Sequence, residues 1–433
     1  MIFAEAQTWL AQHKTAFYGA DNHHICLFIS ALDKGGAERQ IVLLAIGLRQ
    51  LGYEVTLICQ NQDHTSVTGW QMQLADAGVQ REFIPLVRTL WQQSPPTAAE
   101  LQWLQPLCRL LRPKGSHNVL ALQRLLRTIK PFLFIAYLDE CNITAAAAAN
   151  VAGCPSVLMS GRSLEPHLLA QQYTTEFQSC ALSAMSPWYR AILQQIPDSV
   201  LYTNSKLGAD SYQQWLGIDT LQAVPNAVAD NEIESDTDIR NLYQLPPESL
   251  LLLGIMRFTR EKNPDGFIRV AAQLIAEFPS LFVILIGDGE MRGELTELVS
   301  LLGITDRIIM PGKIDEPAPY LTQADCLLGP SHIEGFPNVI LEAQQYGLPL
   351  VCTDAGGTAE ALSPLLTDSL VPVNDENAMY IKLRDYLRYP AQHKTFMQQV
   401  SQDIKATRNC RQLATHTLSL LQPQTTQTLS TGK

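Results

Sequence analysis

Short, unbroken apolar runs alternate along this chain with longer stretches in which apolar positions recur every three to four residues. That alternation runs through twice. The first pass opens with the run HICLFIS, ending at Ser30, followed by a glycine turn at Lys34-Gly35-Gly36. A helical pattern, AERQIVLLAIGLRQLG, comes next, with Gly52 placed to stop it, and then a second apolar run, YEVTLICQ. Strand, glycine turn, helix, strand is a βαβ unit, which requires a parallel sheet. Further strands are expected at 132–138 (FLFIAYL), 156–160 (SVLMS) and 199–205 (SVLYTNS). Residues 230–240, DNEIESDTDIR, are acidic and nearly free of apolar side chains, and read as a linker or exposed loop. The second pass starts with SLLLLGIM and continues helix, strand, helix through FIRVAAQLIAEF, LFVILIGDG, MRGELTELVSLLG, RIIMPG, DCLLGPS, NVILEAQQYG and PLVCTD. Continuous apolar strands fit sheets covered by helices on both faces, so the expected class is α/β with two Rossmann-like, doubly wound domains.

The boundaries expected from this pattern are an extension over 1–22, a first domain over 23–225, a second over 226–400, and closing helices over 401–433 that fade into the polar tail QPQTTQTLSTGK. An extra helix within 1–22 is left open. At 433 residues, 46% hydrophobic and 17% charged, the chain has ample material for two packed cores. The first twenty residues lack the basic start, apolar centre and small-residue cleavage site of a signal peptide, and no apolar run is long enough to span a bilayer, so a cytoplasmic location is the expectation. The net charge of −11 is carried almost wholly by residues 226–433, and no general basic surface for nucleic acid is visible. The nine cysteines are scattered without a CxxC pair and read as buried free thiols.

In doubly wound sheets ligands bind beyond the carboxyl ends of the strands, so chemistry is sought just after the apolar runs. Arg257 and Lys262 follow SLLLLGIM, in GIMRFTREKNPDGF, where Asn263-Pro264 opens the next helix. Two cations there either hold a diphosphate and the charge that grows on it, or form a solvated charged loop. In GPSHIEGFPNVILEAQQYG, Glu334 ends a loop and Glu342 lies about one turn into the following helix, with Pro337 suited to its first position. Carboxylates at a helix start suit hydroxyl-rich ligands, and the free N–H groups there suit an anion.

This combination resembles the large family of retaining glycosyltransferases that includes phosphatidylinositol mannosyltransferase and many bacterial polysaccharide enzymes. The resemblance covers about residues 25 to 420. It rests chiefly on EGFPNVILEA and is seconded by KGGAERQ (34–40), YTNSKLGADSYQQWLGI, VPNAV (224–228), LFVILIGDGEMRGEL (281–295) and IIMPGKI (308–314). It implies the GT-B fold, two Rossmann-like domains facing each other across a cleft, with the last helices returning to the first domain. It further implies that Arg257 and Lys262 bind a donor diphosphate and that Glu334 binds donor-sugar hydroxyls with help from backbone groups near Gly335 and Phe336. Pro337 and Asn338 complete that turn. Glu342 would hold a ribose, Gly35 and Gly36 would let the backbone approach the phosphates, and Gly312, in Met310-Pro311-Gly312, would lie near the base. The implied donor is a UDP- or GDP-linked hexose, the acceptor a glycan or lipid-linked molecule of bacterial surface polysaccharide or lipopolysaccharide assembly, and no metal or other cofactor is required.

The sequence departs from the family where many relatives carry a histidine. Here VLMSGRS places Ser160, Gly161 and Arg162, as in a subset of relatives with an SxR run, so Arg162 is a candidate contact for phosphate or acceptor. Asp139 and Glu140 follow FLFIAYL and are either acceptor contacts or capping residues of the helix after them. Asp236-Thr237-Asp238 spells the DxD metal motif of a different transferase fold, but it has no strand before it and reads as a solvated loop. The histidines lack metal spacing, and no zinc site is expected. The stretch Arg109 to Lys130 interleaves six basic residues with leucines at helical spacing, which fits either contact with an anionic membrane or an ordinary charged helix face. Transfer to a soluble small acceptor, or a catalytically silent nucleotide-sugar-binding protein, are the alternatives.

Overall fold

The structure, a computed structural model, describes residues 1–19, 21–32, 35–60, 68–84, 93–166, 168, 180–230 and 237–421. The chain divides into two compact units. One comprises Met1–Pro225 with Cys410–Lys433, and the other Asn226–Asn409. The division falls at Pro225, ahead of the acidic stretch. Of that stretch residues 231–236 lie outside the described residues; at its end Ile239 is fully buried and Arg240 donates to the Ser249 and Gln323 carbonyls, so these two residues are packed into the second unit.

In the first unit the strands are β1 (Asp21–Ile29), β2 (Glu54–Cys59), β3 (Gln80–Phe83), β4 (Pro131–Tyr137), β5 (Ser156–Gly161), β6 (Ser199–Thr203) and β7 (Gln222–Ala223). They form a parallel sheet in the order β3-β2-β1-β4-β5-β6-β7. The order reverses beside β1, which pairs with both β2 and β4. The helices are α1 (Ile2–Gln12), α2 (Gly36–Gln50), α3 (Thr68–Asp76), α4 (Ala98–Ile129), α5 (Asp139–Ala152), α6 (Cys180–Gln195) and α7 (Lys206–Leu216). Helix α1 is part of the domain core. Its Ala6, Trp9 and Leu10 are buried, Trp9 Nε1 donates to the Trp103 carbonyl at 3.1 Å, and Asn150 Nδ2 donates to the Leu10 carbonyl at 2.9 Å. Burial of three such side chains stabilises by several kcal/mol, at roughly 1.5–3 kcal/mol for each large one.

In the second unit the strands are β8 (Leu250–Ile255), β9 (Leu281–Ile286), β10 (Ile308–Gly312), β11 (Cys326–Gly329), β12 (Leu350–Thr353) and β13 (Leu370–Val371), ordered β10-β9-β8-β11-β12-β13 and parallel. The helices are α8 (Ile239–Leu242), α9 (Pro264–Glu277), α10 (Arg292–Leu301), α11 (Ala318–Gln323), α12 (Asn338–Gln345), α13 (Thr358–Ala361), α14 (Glu376–Arg388) and α15 (Pro390–Thr407). Alternate strand residues enter two separate cores. Leu251, Leu253, Ile284 and Ile286 pack with α12 and α15, while Leu252, Val283 and Leu285 pack with α9 and α14. This is why the strands read as unbroken apolar runs: both faces of the sheet are covered.

The domain boundary expected at 400 lies later, because α15 continues to Thr407 and buries Met397, Val400 and Ile404 in the second unit. The last helix, α16 (Cys410–Ser419), packs against α2 in the first. The approach is close: a Cβ on Gly47 would lie 2.0 Å from the Cys410 carbonyl oxygen. The tail beyond Leu421 lies outside the described residues.

Candidate active site

The second sheet reverses its order between β8 and β11, the position where an open α/β sheet leaves a crevice outside its carboxyl ends. The loops after these two strands are tied together. The His332 N–H donates to the Glu261 carbonyl at 2.8 Å, and Asn263 Nδ2 to the Pro330 carbonyl at 3.1 Å. Asn263 itself has φ 54° and caps α9 by accepting from the Gly266 N–H. An asparagine tolerates this left-handed geometry and the proline after it starts the helix, so AsnPro fixes where the loop ends.

Across the switch point Lys262 Nζ lies 2.7 Å from Glu334 Oε1, with both side chains more than four-fifths buried. Glu334 is held from three sides. Its N–H donates to the Ala355 carbonyl at 2.7 Å, its carbonyl accepts from the Gly357 N–H at 3.0 Å, and Ser331 Oγ donates to Oε1 at 2.7 Å. Arg257 is different: its side chain is 67% exposed and its Nη2 meets Glu261 Oε1 at 3.1 Å. An exposed ion pair of this kind is worth about 0–1 kcal/mol and is readily exchanged for a stronger anion.

Gly335, Phe336 and Pro337 are buried and lead directly into α12. Pro337 occupies the capping position and Asn338 the first helical one, a shift of one residue from the sequence expectation, and no side chain caps the helix. Asn226 Nδ2 donates to Asn338 Oδ1 at 2.7 Å, and Gln345 Nε2 to the Ala229 carbonyl at 2.7 Å. VPNAV and the Ala229 that follows it thus brace both ends of α12, a positioning role that spacing alone does not reveal. Glu342 is half-buried on the same helix. Gly312 ends β10 with φ 87°, and its carbonyl accepts from the Gly287 N–H at 2.9 Å.

The remaining candidates lie on the first unit, also at strand carboxyl ends. Gly35 caps α2 and Gly36 opens it, beyond β1; Lys34 is outside the described residues. Asp139 starts α5 beyond β4, inside the first turn and not as its cap, which is Leu138. Its carboxylate is engaged within the unit. Oδ1 accepts from Tyr189 Oη at 2.8 Å and Tyr212 Oη at 2.7 Å, and both tyrosines are fully buried. Burial pushes this carboxyl up, against the pull of the Tyr212 and Tyr189 hydroxyls. Glu140 is exposed on the same turn. Arg162 lies just past β5 with its guanidinium 4.4 Å from the Tyr137 ring centroid and Nη1 3.3 Å from Ser160 Oγ, while Asn204 Nδ2 holds its carbonyl at 3.1 Å.

Asp238 caps α8 by accepting from the Asn241 N–H at 3.1 Å; Asp236 lies outside the described residues, among which no group of three or more His, Cys, Asp or Glu side chains could hold a metal ion. In α4, Arg124 turns inward to Glu100 at 2.8 Å and to the Ser94 carbonyl, whereas Arg109, Arg127 and Lys130 are exposed. No described helix is long and apolar enough to cross a membrane.

Two parallel doubly wound domains of this kind define the GT-B architecture. Sucrose-phosphate synthase of Thermosynechococcus elongatus superposes with a TM-score of 0.69 at 19% identity, over 92% of this chain and 98% of that one. Anabaena HepE, solved with UDP and glucose, superposes with a TM-score of 0.66 at 18% identity, over 91% and 99%. Residues 235–402 match the family Glycosyl transferases group 1, so the second unit is a glycosyltransferase group 1 domain. A Vi polysaccharide biosynthesis protein, VipC/TviE, of Salmonella typhi is 27% identical over 82% of this chain, a match that spans 64% of that protein's length. The N-acetylgalactosamine-N,N'-diacetylbacillosaminyl-diphospho-undecaprenol 4-alpha-N-acetylgalactosaminyltransferase of Campylobacter jejuni is 27% identical over 39% of this chain and 47% of its own.

Proposed function

We propose that the protein is a retaining glycosyltransferase that moves a hexose-type sugar from a UDP- or GDP-linked donor to a glycan or lipid-linked acceptor in bacterial surface polysaccharide or lipopolysaccharide assembly. The observation that carries this reading is the Lys262–Glu334 pair at the switch point of the second sheet. A cation and a carboxylate are held side by side where a ligand's phosphate and hydroxyls would have to lie together. The similarity to proteins named for polysaccharide and undecaprenol-linked glycan synthesis supports the setting.

In this reading Lys262 and Arg257 bind the donor diphosphate and stabilise the charge that develops as the bond from the sugar C1 to phosphate oxygen breaks. Glu334 accepts hydrogen bonds from sugar hydroxyls and Glu342 from the ribose diol. The acceptor hydroxyl attacks C1 on the face the diphosphate leaves. Its proton passes to the departing phosphate oxygen, so the atoms balance with no protein base. The two cations take the place of a divalent metal, so turnover is expected to persist in EDTA. Exposed Arg109 and Arg127 on α4, with Lys130 at its C-cap, give a cationic contact for the anionic membrane of a lipid-bound acceptor, to be seen as vesicle binding that weakens with salt.

The test is thermal stabilisation by UDP, GDP, ADP and their sugars, since a ligand of the folded state raises Tm by mass action. One nucleotide should stabilise the wild type and not the Arg257→Ala/Lys262→Ala double variant. No shift with any of them sinks the reading.

A further inference from the structure

Arg292, the first residue of α10, ties together the carboxyl ends of three adjacent strands, β8, β9 and β10. Its guanidinium reaches back from the helix over the sheet edge. Nη2 donates to the Met310 carbonyl at 2.9 Å, Nη1 donates to the Gly287 carbonyl at 3.4 Å, and Cζ lies 5.9 Å from the ring centroid of Phe258, just past β8. Asp288 Oδ1 is 3.7 Å from Nη1.

The Met310 carbonyl needs this partner. The β9–β10 ladder runs in register at Ile308 and Ile309 and then shifts before Gly312, so Met310-Pro311 form a bulge whose polar groups leave the regular ladder. Pro311 brings no N–H, and Gly312 turns with φ 87°. The facing turn is fixed with equal tightness: a Cβ on Gly287 would lie 1.8 Å from the Met256 carbonyl oxygen. Only a planar, always-charged fork can serve two carbonyls on different strands at once, and lysine cannot copy it.

We infer that Arg292 is a positioning residue for the donor's nucleoside: by holding the Met310 carbonyl it sets the Pro311-Gly312 bend as a wall for the base, apart from the cations that hold the diphosphate. This inference rests on the donor reading above. The bend lies at the carboxyl end of the strand two places from Lys262's loop, on the side of the sheet away from Glu334. A base reaching that far along the edge meets a surface whose shape depends on Arg292.

The experiment compares UDP, GDP and ADP with inorganic pyrophosphate by calorimetric titration of the full chain, as wild type, Arg292→Ala and Arg292→Lys, with unliganded Tm recorded for each. Loss of a charge-assisted hydrogen bond that shapes the wall should weaken the preferred nucleoside diphosphate about tenfold or more in Arg292→Ala. Pyrophosphate binding should stay within about twofold, because it uses Arg257 and Lys262 alone. Arg292→Lys should fall between. Equal nucleotide affinity in wild type and Arg292→Ala overturns the inference while leaving the donor reading intact, and so does a parallel loss of nucleotide and pyrophosphate with a lowered Tm. A wild type that binds neither overturns the donor reading and this inference with it.

Discussion

The ammonium of Lys262 and the carboxylate of Glu334 meet at 2.7 Å although they follow different strands, β8 and β11, far apart in the chain. Each is the other's partner in the structure, and under the proposed function a donor would offer phosphate to one and hydroxyls to the other. Because both side chains are mostly buried, removing one leaves the other poorly solvated.

Lys262→Ala is therefore expected to cost turnover on the order of a hundredfold or more, the usual effect of deleting one group that stabilises transition-state charge. Initial rates with the donor found by the nucleotide screen would check this. A variant within a few-fold of wild type would remove Lys262 from the machinery.

Asp139→Ala should destabilise the first unit, because two buried tyrosine hydroxyls would lose the acceptor they share. Each unsatisfied buried group costs about 1–3 kcal/mol. Urea unfolding followed by tyrosine and tryptophan fluorescence reads this, and Asp139→Asn should recover part of it. If Asp139→Ala instead leaves stability unchanged and abolishes transfer, the carboxylate belongs to the acceptor site after all.

Acid sensitivity should have an identifiable component at Glu100. Hydrogen bonds from Arg124 hold its carboxyl down to about 2, with the Thr97 cap adding to them. A depressed carboxyl contributes stability that is present above its unfolded value, roughly 4.3, and is lost as pH falls toward the folded one. Thermal unfolding of wild type and Glu100→Gln from pH 6 to pH 2 should thus differ most at pH 6 and converge near pH 2. A constant difference across that range would mean that Glu100 does not titrate as the Arg124 contact requires.

Gly287→Ala should be among the more damaging single substitutions in the second unit. Its backbone has φ 140° and the added Cβ would collide with the Met256 carbonyl. A loss well above the ~1 kcal/mol typical of a tolerated change is expected in chemical denaturation, because conformational strain and steric overlap add. A near-neutral result would show that the turn after β9 can move.

Much of this could be read along the chain. The unbroken runs at 250–255 and 281–286 announce strands covered on both faces, and GFPN followed by an apolar helix announces a strand-to-helix turn carrying Glu334. Helix α1 was harder to place, because a short amphipathic stretch looks the same whether it lies free or packs on α4 and α6. Asn226 and Arg292 lie in segments that carry the family resemblance, VPNAV and LFVILIGDGEMRGEL, but their partners were not legible there: each acts through hydrogen bonds to residues remote in sequence, Asn338 and Met310. The DxD triplet was legible only as a motif, and the cap at Asp238 shows what the local chain does with it.

By itself the sequence determined the order of the long apolar strands and the helices between them, the parallel character of both sheets, and which charged residues follow which strand, because these depend on local periodicity and turn chemistry; the short strands β3, β7 and β13 carry no apolar run to announce them. Tertiary structure decided the rest. Lateral strand order placed the loop after β8 beside the loop after β11 and so joined Lys262 to Glu334. The convergence of α6 and α7 on the start of α5 made Asp139 the shared partner of Tyr189 and Tyr212. Hydrogen bonds require an approach within about 3 Å, and no local pattern records which distant residue will supply it.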